Sequence, residues 1–269
     1  MALLTYRELD TASELALAAG QILAGQYAGE NAVEWKANAE PVTLADRLAN
    51  DFLVCELAKR FPDDGILSEE APDRHEPCRN RRVWIIDPMD GTAEFIAHRD
   101  EFAVMIGLAV DGVPTLGVIY QPIGQKLYYA AAGEGAFLKT RGMCTALHVS
   151  AESDPQMMTV ALSRSHHCAD VDRICRRVGI TKTLWSGSIG LKVGLICEGR
   201  AHVYLHTAKR VSQWDTCAPE AVLREAGGRM TDLYGMPLPY AGSELRHLNG
   251  VIASNGAIHA RIVEAASYG

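Results

Sequence analysis

The sequence predicts a layered fold in two parts, an α+β part over residues 1–142 and an α/β part over residues 143–269. Three observations carry this. Two segments with helical apolar spacing open the chain, strand-like runs separated by turn signals lie between residues 83 and 131, and from about residue 142 strand-like and helix-like segments alternate. A length of 269 residues, 48% of them hydrophobic, suffices for one large domain or two closely packed ones.

Each element has a local reason. The first helix carries Leu9, Leu15, Ile22 and Leu23 on one stripe and runs out across Gly25 to Gly29. The second covers 44–60, with Leu44, Leu48, Phe52, Leu53 and Leu57 at helical spacing, Thr43 as its cap and Pro62 beyond its end. Residues 83–86 (VWII) form a short apolar β-type run that ends at Asp87. The segments 102–110, 114–120 and 126–131 then alternate with the turn signals Asp111-Gly112 and Ile123-Gly124-Gln125, which predicts a meander of antiparallel strands. Farther along, strands are expected at 158–162, 183–185, 202–206, 230–233 and 251–253, and helices at 169–178, 188–198, 215–226 and 258–266. No repeat or low-complexity tract interrupts the series, so the junction near residue 142 is expected to be packed rather than tethered.

Charge and cysteine usage exclude several classes. With 26 Lys+Arg against 33 Asp+Glu the formal net charge is −7, which argues against a nucleic-acid polymer as partner, because phosphate neutralisation needs a basic surface. A small phosphorylated ligand needs only a local site, and clustered acids can hold a divalent cation. The seven cysteines contain no C-x-x-C pair, so neither a disulfide framework nor a zinc site is expected; most are expected in the core, and the protein in the cytoplasm. Arg7, Glu8, Asp10 and Glu14 interrupt the N-terminal apolar residues, unlike a signal peptide, and no stretch reaches the roughly 18 apolar residues of a membrane span.

The most specific signal is Asp87-Pro88-Met89-Asp90-Gly91-Thr92. Asp87 leaves the end of a buried strand, Pro88 stiffens the turn, Met89 offers its carbonyl, Asp90 returns a second carboxylate and Gly91 lets backbone approach a ligand. A helix opening at Thr92 would add an anion site beside that carboxylate pair. Two more acidic elements support the pattern: Ser68-Glu69-Glu70 after Ile66-Leu67, and Trp214-Asp215-Thr216-Cys217-Ala218-Pro219 at a predicted helix start, where Asp215 is also an ordinary cap. Glu69, Asp87, Asp90, Asp215 and the Met89 carbonyl are hard oxygen ligands, suited to Mg²⁺ rather than zinc. The C-x5-R, D-x-D-x-T and P-loop patterns of other phosphate chemistries are absent, and Gly133-Glu134-Gly135 lacks the third glycine of a dinucleotide fingerprint.

Glu69-Glu70, DPMDGT and WDTCAP, in that order, resemble the three signatures of the inositol monophosphatase superfamily of Mg²⁺-dependent, lithium-sensitive phosphatases. The resemblance spans nearly the whole chain and implies a layered α-β-α-β-α sandwich of the inositol monophosphatase (sugar phosphatase) type. Within the superfamily the chain is most similar to the CysQ-like 3'(2'),5'-bisphosphate nucleotidases, which convert 3'-phosphoadenosine 5'-phosphate to AMP and phosphate. Gly91-Thr92-Ala93-Glu94-Phe95, Ser163-Arg164-Ser165-His166, Gly187-Ser188-Ile189-Gly190-Leu191-Lys192, and WDTCAPE followed by Gly227-Gly228 and Thr231-Asp232 carry this narrower match.

By resemblance, Glu69, Asp87, Asp90, Asp215 and the Met89 carbonyl hold two or three Mg²⁺ ions, with Glu70 nearby. Thr92, paired with Asp46, orients the attacking water and helps deprotonate it; Thr43-x-x-Asp46 is also a capping-box pattern, and the two roles are compatible. Gly91, Thr92, Ser163, Arg164, His166, Gly187, Lys192 and Asp215 are the substrate-binding candidates, and Lys209 and Arg210 are further cations near WDTCAP. The expected activity is hydrolysis of the 3'-phosphate of 3'-phosphoadenosine 5'-phosphate, and of its sulfated precursor. The alternatives are inositol phosphate or fructose 1,6-bisphosphate as substrate, or a nucleotide- or metal-sensing protein without turnover. A homodimer is compatible with this class.

Overall fold

In the computed structural model, which describes residues 6–29, 33–35, 41–70, 81–165, 168–240 and 242–267, both N-terminal helices form where the apolar spacing predicts them. Helix α1, Tyr6–Tyr27, buries Leu15 and Leu23 together with Ala12, Ala16 and Ala19. Helix α2, Leu44–Arg60, buries only part of its regularly spaced apolar set: Leu44 and Leu48 are 56% and 41% exposed, and the buried face carries Ala45, Asp46, Ala49, Asn50, Leu53 and Leu57. The cause is local and polar. Thr43 caps the helix in a capping box with Asp46, so Asp46 turns inward, and the small Ala45 and Ala49 take the packed positions.

Short strands β1, Val33–Trp35, and β2, Pro41–Thr43, pair antiparallel ahead of α2. The main sheet has seven strands in chain order: β3 Gly65–Ser68, β4 Arg82–Asp90, β5 Ala103–Val110, β6 Val113–Gln121, β7 Lys126–Ala131, β8 Gly135–Thr140 and β9 Met143–Leu147. β3 and β4 run parallel, and the remaining neighbours are antiparallel, as the turn signals predict. Strand β9 carries no legible pattern because only its last residue is buried. The sequence division at 142/143 falls in the turn between β8 and β9, and the alternating units begin after Leu147.

The second sheet contains β10 Thr159–Ser163, β11 Lys182–Ser186, β12 Val203–His206, β13 Arg229–Thr231 and β14 Val251–Ser254, ordered β11-β10-β12-β14-β13. The remaining helices are α3 Thr92–Ile96, α4 Ala169–Val178, α5 Ile189–Cys197, α6 Gln213–Glu225 and α7 His259–Ser267. Alternation along β4 and β5 divides the main sheet into two faces. Trp84, Ile86, Val104 and Ile106 pack under α1 and α2. Val83, Ile85, Ala103 and Met105 pack against Leu191 of α5 and Cys217, Ala218 and Val222 of α6, in one core shared with Ala161, Tyr204 and Ala253 of the second sheet. The outer face of that sheet, with Val160, Leu162 and Val203, is covered by Val171 and Ile174 of α4 and Ile262 of α7. The layers are therefore α-β-α-β-α, and the two parts share a core instead of a tether. Cysteines follow the core expectation only partly: Cys175, Cys197 and Cys217 are buried, whereas Cys55 and Cys144 are exposed.

Candidate active site

The carboxylate pair of DPMDGT depends on a strand irregularity. Strand β4 pairs with β5 from Arg82↔Val110 to Asp87↔Met105, and Asp90 then pairs with Ala103, so three steps on β4 match two on β5. In a regular strand, residues three apart point to opposite faces. The extra residue of the bulge returns Asp90 to the face of Asp87, towards α5 and α6. Pro88 is tolerated there because the bulge breaks the ladder that its missing N–H would interrupt. The Met89 side chain anchors the bulge in the core under α1 and α2. Its N–H donates to Asp87 Oδ1 at 2.9 Å. Gly91 then turns the chain at φ 102°, and a Cβ there would lie 2.8 Å from the Glu101 carbonyl oxygen.

Other helix starts bring further groups to the same place. Asp215 sits in the first turn of α6, where its Oδ2 accepts the Ser212 N–H at 2.6 Å as half of a capping box. Asp90 Oδ2 accepts the Ser188 hydroxyl at 2.5 Å and the Gly190 N–H at 2.8 Å from the start of α5. Helix N-termini favour negative charge, which offsets part of the repulsion among these acids. Carboxylate oxygens of Asp87, Asp90 and Asp215 lie within 4.8 Å of one another, and Glu69 and Met89 line the same cleft of about 820 Å³. Glu70 is half-buried directly after Glu69.

The electrostatics test whether a cation fits. Burial, then the charges of Glu69, Asp90 and Asp215, pushes Asp87 well above the ordinary carboxylate range. Burial also raises Asp90, against the lowering effects of Lys192, Ser188 and Gly190. Crowded, buried hard-oxygen donors that resist ionisation when alone are what a divalent ion stabilises, so the residues fit a metal of the Mg²⁺ type.

Asp46 uses its two oxygens separately. Oδ2 accepts the Thr43 N–H at 2.7 Å and the Thr43 hydroxyl at 2.6 Å, while Oδ1 accepts the Thr92 hydroxyl at 3.2 Å. The Thr92 hydroxyl also lies 3.2 Å from the Met89 carbonyl. Capping and pairing with Thr92 therefore coexist in one side chain. Burial pushes Asp46 up to about 6, against hydrogen bonds from Thr43.

The substrate-binding candidates divide. Gly91, Thr92, Ser163, Lys192 and Asp215 line the cleft. Lys192 is fully buried; its ammonium lies 3.4 Å from the Ser186 carbonyl and 5.1 Å from the centre of the Tyr204 ring. Burial lowers Lys192 to about 8, opposed first by Asp90 and Glu94. Arg164 and Gly187 do not reach the lining: the Arg164 guanidinium is bidentate on Glu101, and the Gly187 N–H donates to the same carboxylate. His166 lies outside the described residues. Arg210 is on the lining and Lys209 is not.

Sequence reasoning missed Ser188 as the holder of Asp90, and it missed Tyr204, His206, Glu244 and Arg246 on the lining. Ser188 had a signal, since it opens the segment 188–198 expected as a helix, and serine is favoured at such a start. Arg246 had none: a backbone bridge to Ser212, which no local pattern announces, brings it to the cleft.

A five-layer sandwich with a buried carboxylate cluster beside several helix N-termini defines a metal-dependent phosphatase. The chain belongs to the inositol monophosphatase family, whose family model matches residues 6–268. It is 36% identical over 239 residues to the 3'(2'),5'-bisphosphate nucleotidase CysQ of Escherichia coli (strain K12), covering 88% of this chain and 95% of that protein. It is 34% identical over 236 residues to a histidinol-phosphatase of Mycobacterium tuberculosis, covering 86% of each chain. Among solved structures, CysQ from Bacteroides thetaiotaomicron superimposes with a TM-score of 0.80 at 28% identity, covering 94% of this chain and 99% of that one. An inositol monophosphatase from Anabaena superimposes at 0.81 and 29% identity, covering 98% and 96%. No helix among the described residues is long and apolar enough to cross a membrane.

Proposed function

We propose that this phosphatase hydrolyses the 3'-phosphate of 3'-phosphoadenosine 5'-phosphate to give AMP and phosphate, and accepts the sulfated precursor as a second substrate. The observation that carries the choice is the cationic content of the cleft: Lys192, Arg210 and Arg246 line it together with the carboxylates. A bisphosphate needs a second anion locus apart from the one that holds the scissile group, and Arg suits it because its fork matches phosphate oxygens. Trp214, Leu245 and Ile189 supply apolar surface for a base on the same lining.

Glu69, Asp87, Asp90, Asp215 and the Met89 carbonyl would hold two or three Mg²⁺ ions, which supply Lewis-acid activation of water and charge stabilisation on the leaving oxygen. The chain's own groups do the remainder. Thr92, donating to Asp46 Oδ1, presents its lone pairs to the attacking water, and Asp46, at about 6, is poised near neutral pH to take up a proton. The Gly91 and Thr92 N–H groups at the start of α3 would stabilise developing charge on the phosphoryl oxygens.

Parallel phosphate-release assays with Mg²⁺ on 3'-phosphoadenosine 5'-phosphate, inositol 1-phosphate, fructose 1,6-bisphosphate and histidinol phosphate test this, and repetition with Li⁺ checks the expected inhibition. Arg210 and Arg246 are exposed, and hydrogen bonds to charged groups contribute roughly 1.5–3 kcal/mol, so the bisphosphate nucleotide should lead inositol 1-phosphate and histidinol phosphate in kcat/KM by about tenfold or more, and lead fructose 1,6-bisphosphate through its base. Histidinol phosphate is the second reading, favoured by the relatives of that activity and by Glu244 on the lining, an acid suited to a substrate amine. Preference for it, or for either sugar phosphate, overturns the nucleotide assignment. No phosphate release from any of the four points to a non-catalytic binding protein.

A further inference from the structure

Glu101 lies between α3 and β5, outside every motif that marks the site in the sequence, yet it joins the two parts of the molecule at the cleft. Its Oε2 accepts Arg164 Nε at 2.6 Å and the Gly187 N–H at 2.7 Å, and its Oε1 accepts Arg164 Nη2 at 2.9 Å. The same Nη2 donates to the Trp185 carbonyl at 3.1 Å. Two glycines pack on the Glu101 backbone: a Cβ at Gly91 would come within 2.8 Å of its carbonyl oxygen, and one at Gly187 within 2.7 Å. Gly91 follows Asp90 in the metal loop, and Gly187 precedes α5. Glu101 is therefore clasped between the two segments whose relative position decides where Asp90 points.

The turn before α5 needs such a clasp. Ser188 adopts φ 52°, a left-handed conformation that non-glycine residues hold only where their surroundings over-determine it. In that conformation its hydroxyl donates to Asp90 Oδ2 at 2.5 Å and accepts the Leu191 N–H at 3.0 Å, while the Gly190 N–H reaches the same Oδ2 at 2.8 Å. The Glu101 carboxylate holds the Ser186–Gly187 peptide, one residue ahead of Ser188, and the bidentate Arg164 fork fixes the Glu101 rotamer.

We propose that Glu101 is a positioning residue for the metal site, with Arg164 as its partner: together they lock the turn at Gly187 and Ser188 so that Ser188 and Gly190 hold Asp90 in its ligating orientation. Arg164 then serves the cation rather than the substrate phosphate that its sequence position suggests. The proposal rests on Asp90 as a metal ligand and on no particular substrate.

The test is a titration of metal-stripped protein with Mn²⁺, a hard-oxygen probe, with free ion read by electron paramagnetic resonance and no substrate present. Groups that orient metal ligands typically alter affinity by 10–100-fold, so Glu101→Gln and Arg164→Ala should weaken Mn²⁺ binding by about tenfold or more. Arg164→Lys, which keeps the charge but not the fork, should fall between Arg164→Ala and the parent. At saturating Mg²⁺ the KM of these variants for the best substrate should stay within about twofold of the parent. Parent-like Mn²⁺ binding in Glu101→Gln overturns the proposal, as does a raised KM in Arg164→Ala with Mn²⁺ binding intact, which would make Arg164 a substrate contact. If Arg164→Ala does not melt cooperatively, Glu101→Gln and Arg164→Lys carry the same expectation and the same refutation. Asp90→Asn belongs in the same titration: if it too binds Mn²⁺ like the parent, the metal assignment fails, and this is distinguishable from failure of the clasp alone.

Discussion

Asp46→Asn separates two roles held by one side chain. In the parent, Oδ2 takes both hydrogen bonds from Thr43 and Oδ1 takes the hydroxyl of Thr92. An asparagine placed by the same two Thr43 donors puts its carbonyl oxygen at the capping position and its amide nitrogen towards Thr92. The cap, worth about 1 kcal/mol, is kept. Burial pushes the Asp46 carboxylate up to about 6, so its replacement also removes a desolvation cost, and net stability should stay within about 1 kcal/mol of the parent. The chemistry should suffer far more, because an amide cannot accept the proton that Thr92 or its water must release. Loss of a general base costs about 10²–10⁴ in rate, so kcat should fall by that range. Thr92→Val should lower kcat similarly, and the double variant should lose much less than the product of the two effects, since both residues act in one relay. Urea denaturation without metal and phosphate release with saturating Mg²⁺ measure the two sides. Turnover within about threefold of the parent at unchanged stability would refute the assignment of Asp46 to catalysis.

Two other predictions concern the frame of the site. Gly91→Ala combines φ 102° with a Cβ 2.8 Å from the Glu101 carbonyl oxygen, so it should destabilise the fold by about 1–3 kcal/mol in urea denaturation; a loss under about 0.5 kcal/mol would show that the loop relaxes freely. Glu220, whose Oε2 accepts the Tyr240 hydroxyl at 2.6 Å, is raised by burial from an ordinary 4.5 to about 7. The native state therefore holds this proton more tightly than the unfolded chain, and the group's contribution to stability declines as pH rises from about 4.5 to about 7, then levels off. Glu220→Gln should match the parent near pH 4 and exceed it by about 1–3 kcal/mol near pH 8; parallel stability curves across that range would remove the burial argument.

Local chemistry explains why much of the molecule is legible in its sequence. The capping box of Thr43 and Asp46 and the stop at Pro62 are contained within a few residues, so α2 is expected over the residues it occupies. The turn signals at Asp111-Gly112 and Ile123-Gly124-Gln125 likewise set the hairpins of the main sheet. Strand β9 escapes because four of its five residues are exposed, leaving no alternation to detect. The orientation of α2 escapes because leucine spacing reports which residues share a face, not which face meets the sheet.

The sequence by itself determined where helices and strands form, through hydrophobic period and capping residues, and the family with its layered sandwich, through short motifs whose meaning is carried by adjacent residues; it also singled out the acidic donors expected at the site. Only the tertiary structure decided how those donors are aimed. The bulge between Asp87 and Asp90 exists only relative to the register of β5, and it brings both carboxylates to one face. Arg164 finds Glu101 across 63 residues of chain, which takes its guanidinium to a partner off the cleft lining. Register and long-range charge pairing are properties of two segments at once, and no single stretch of sequence contains them.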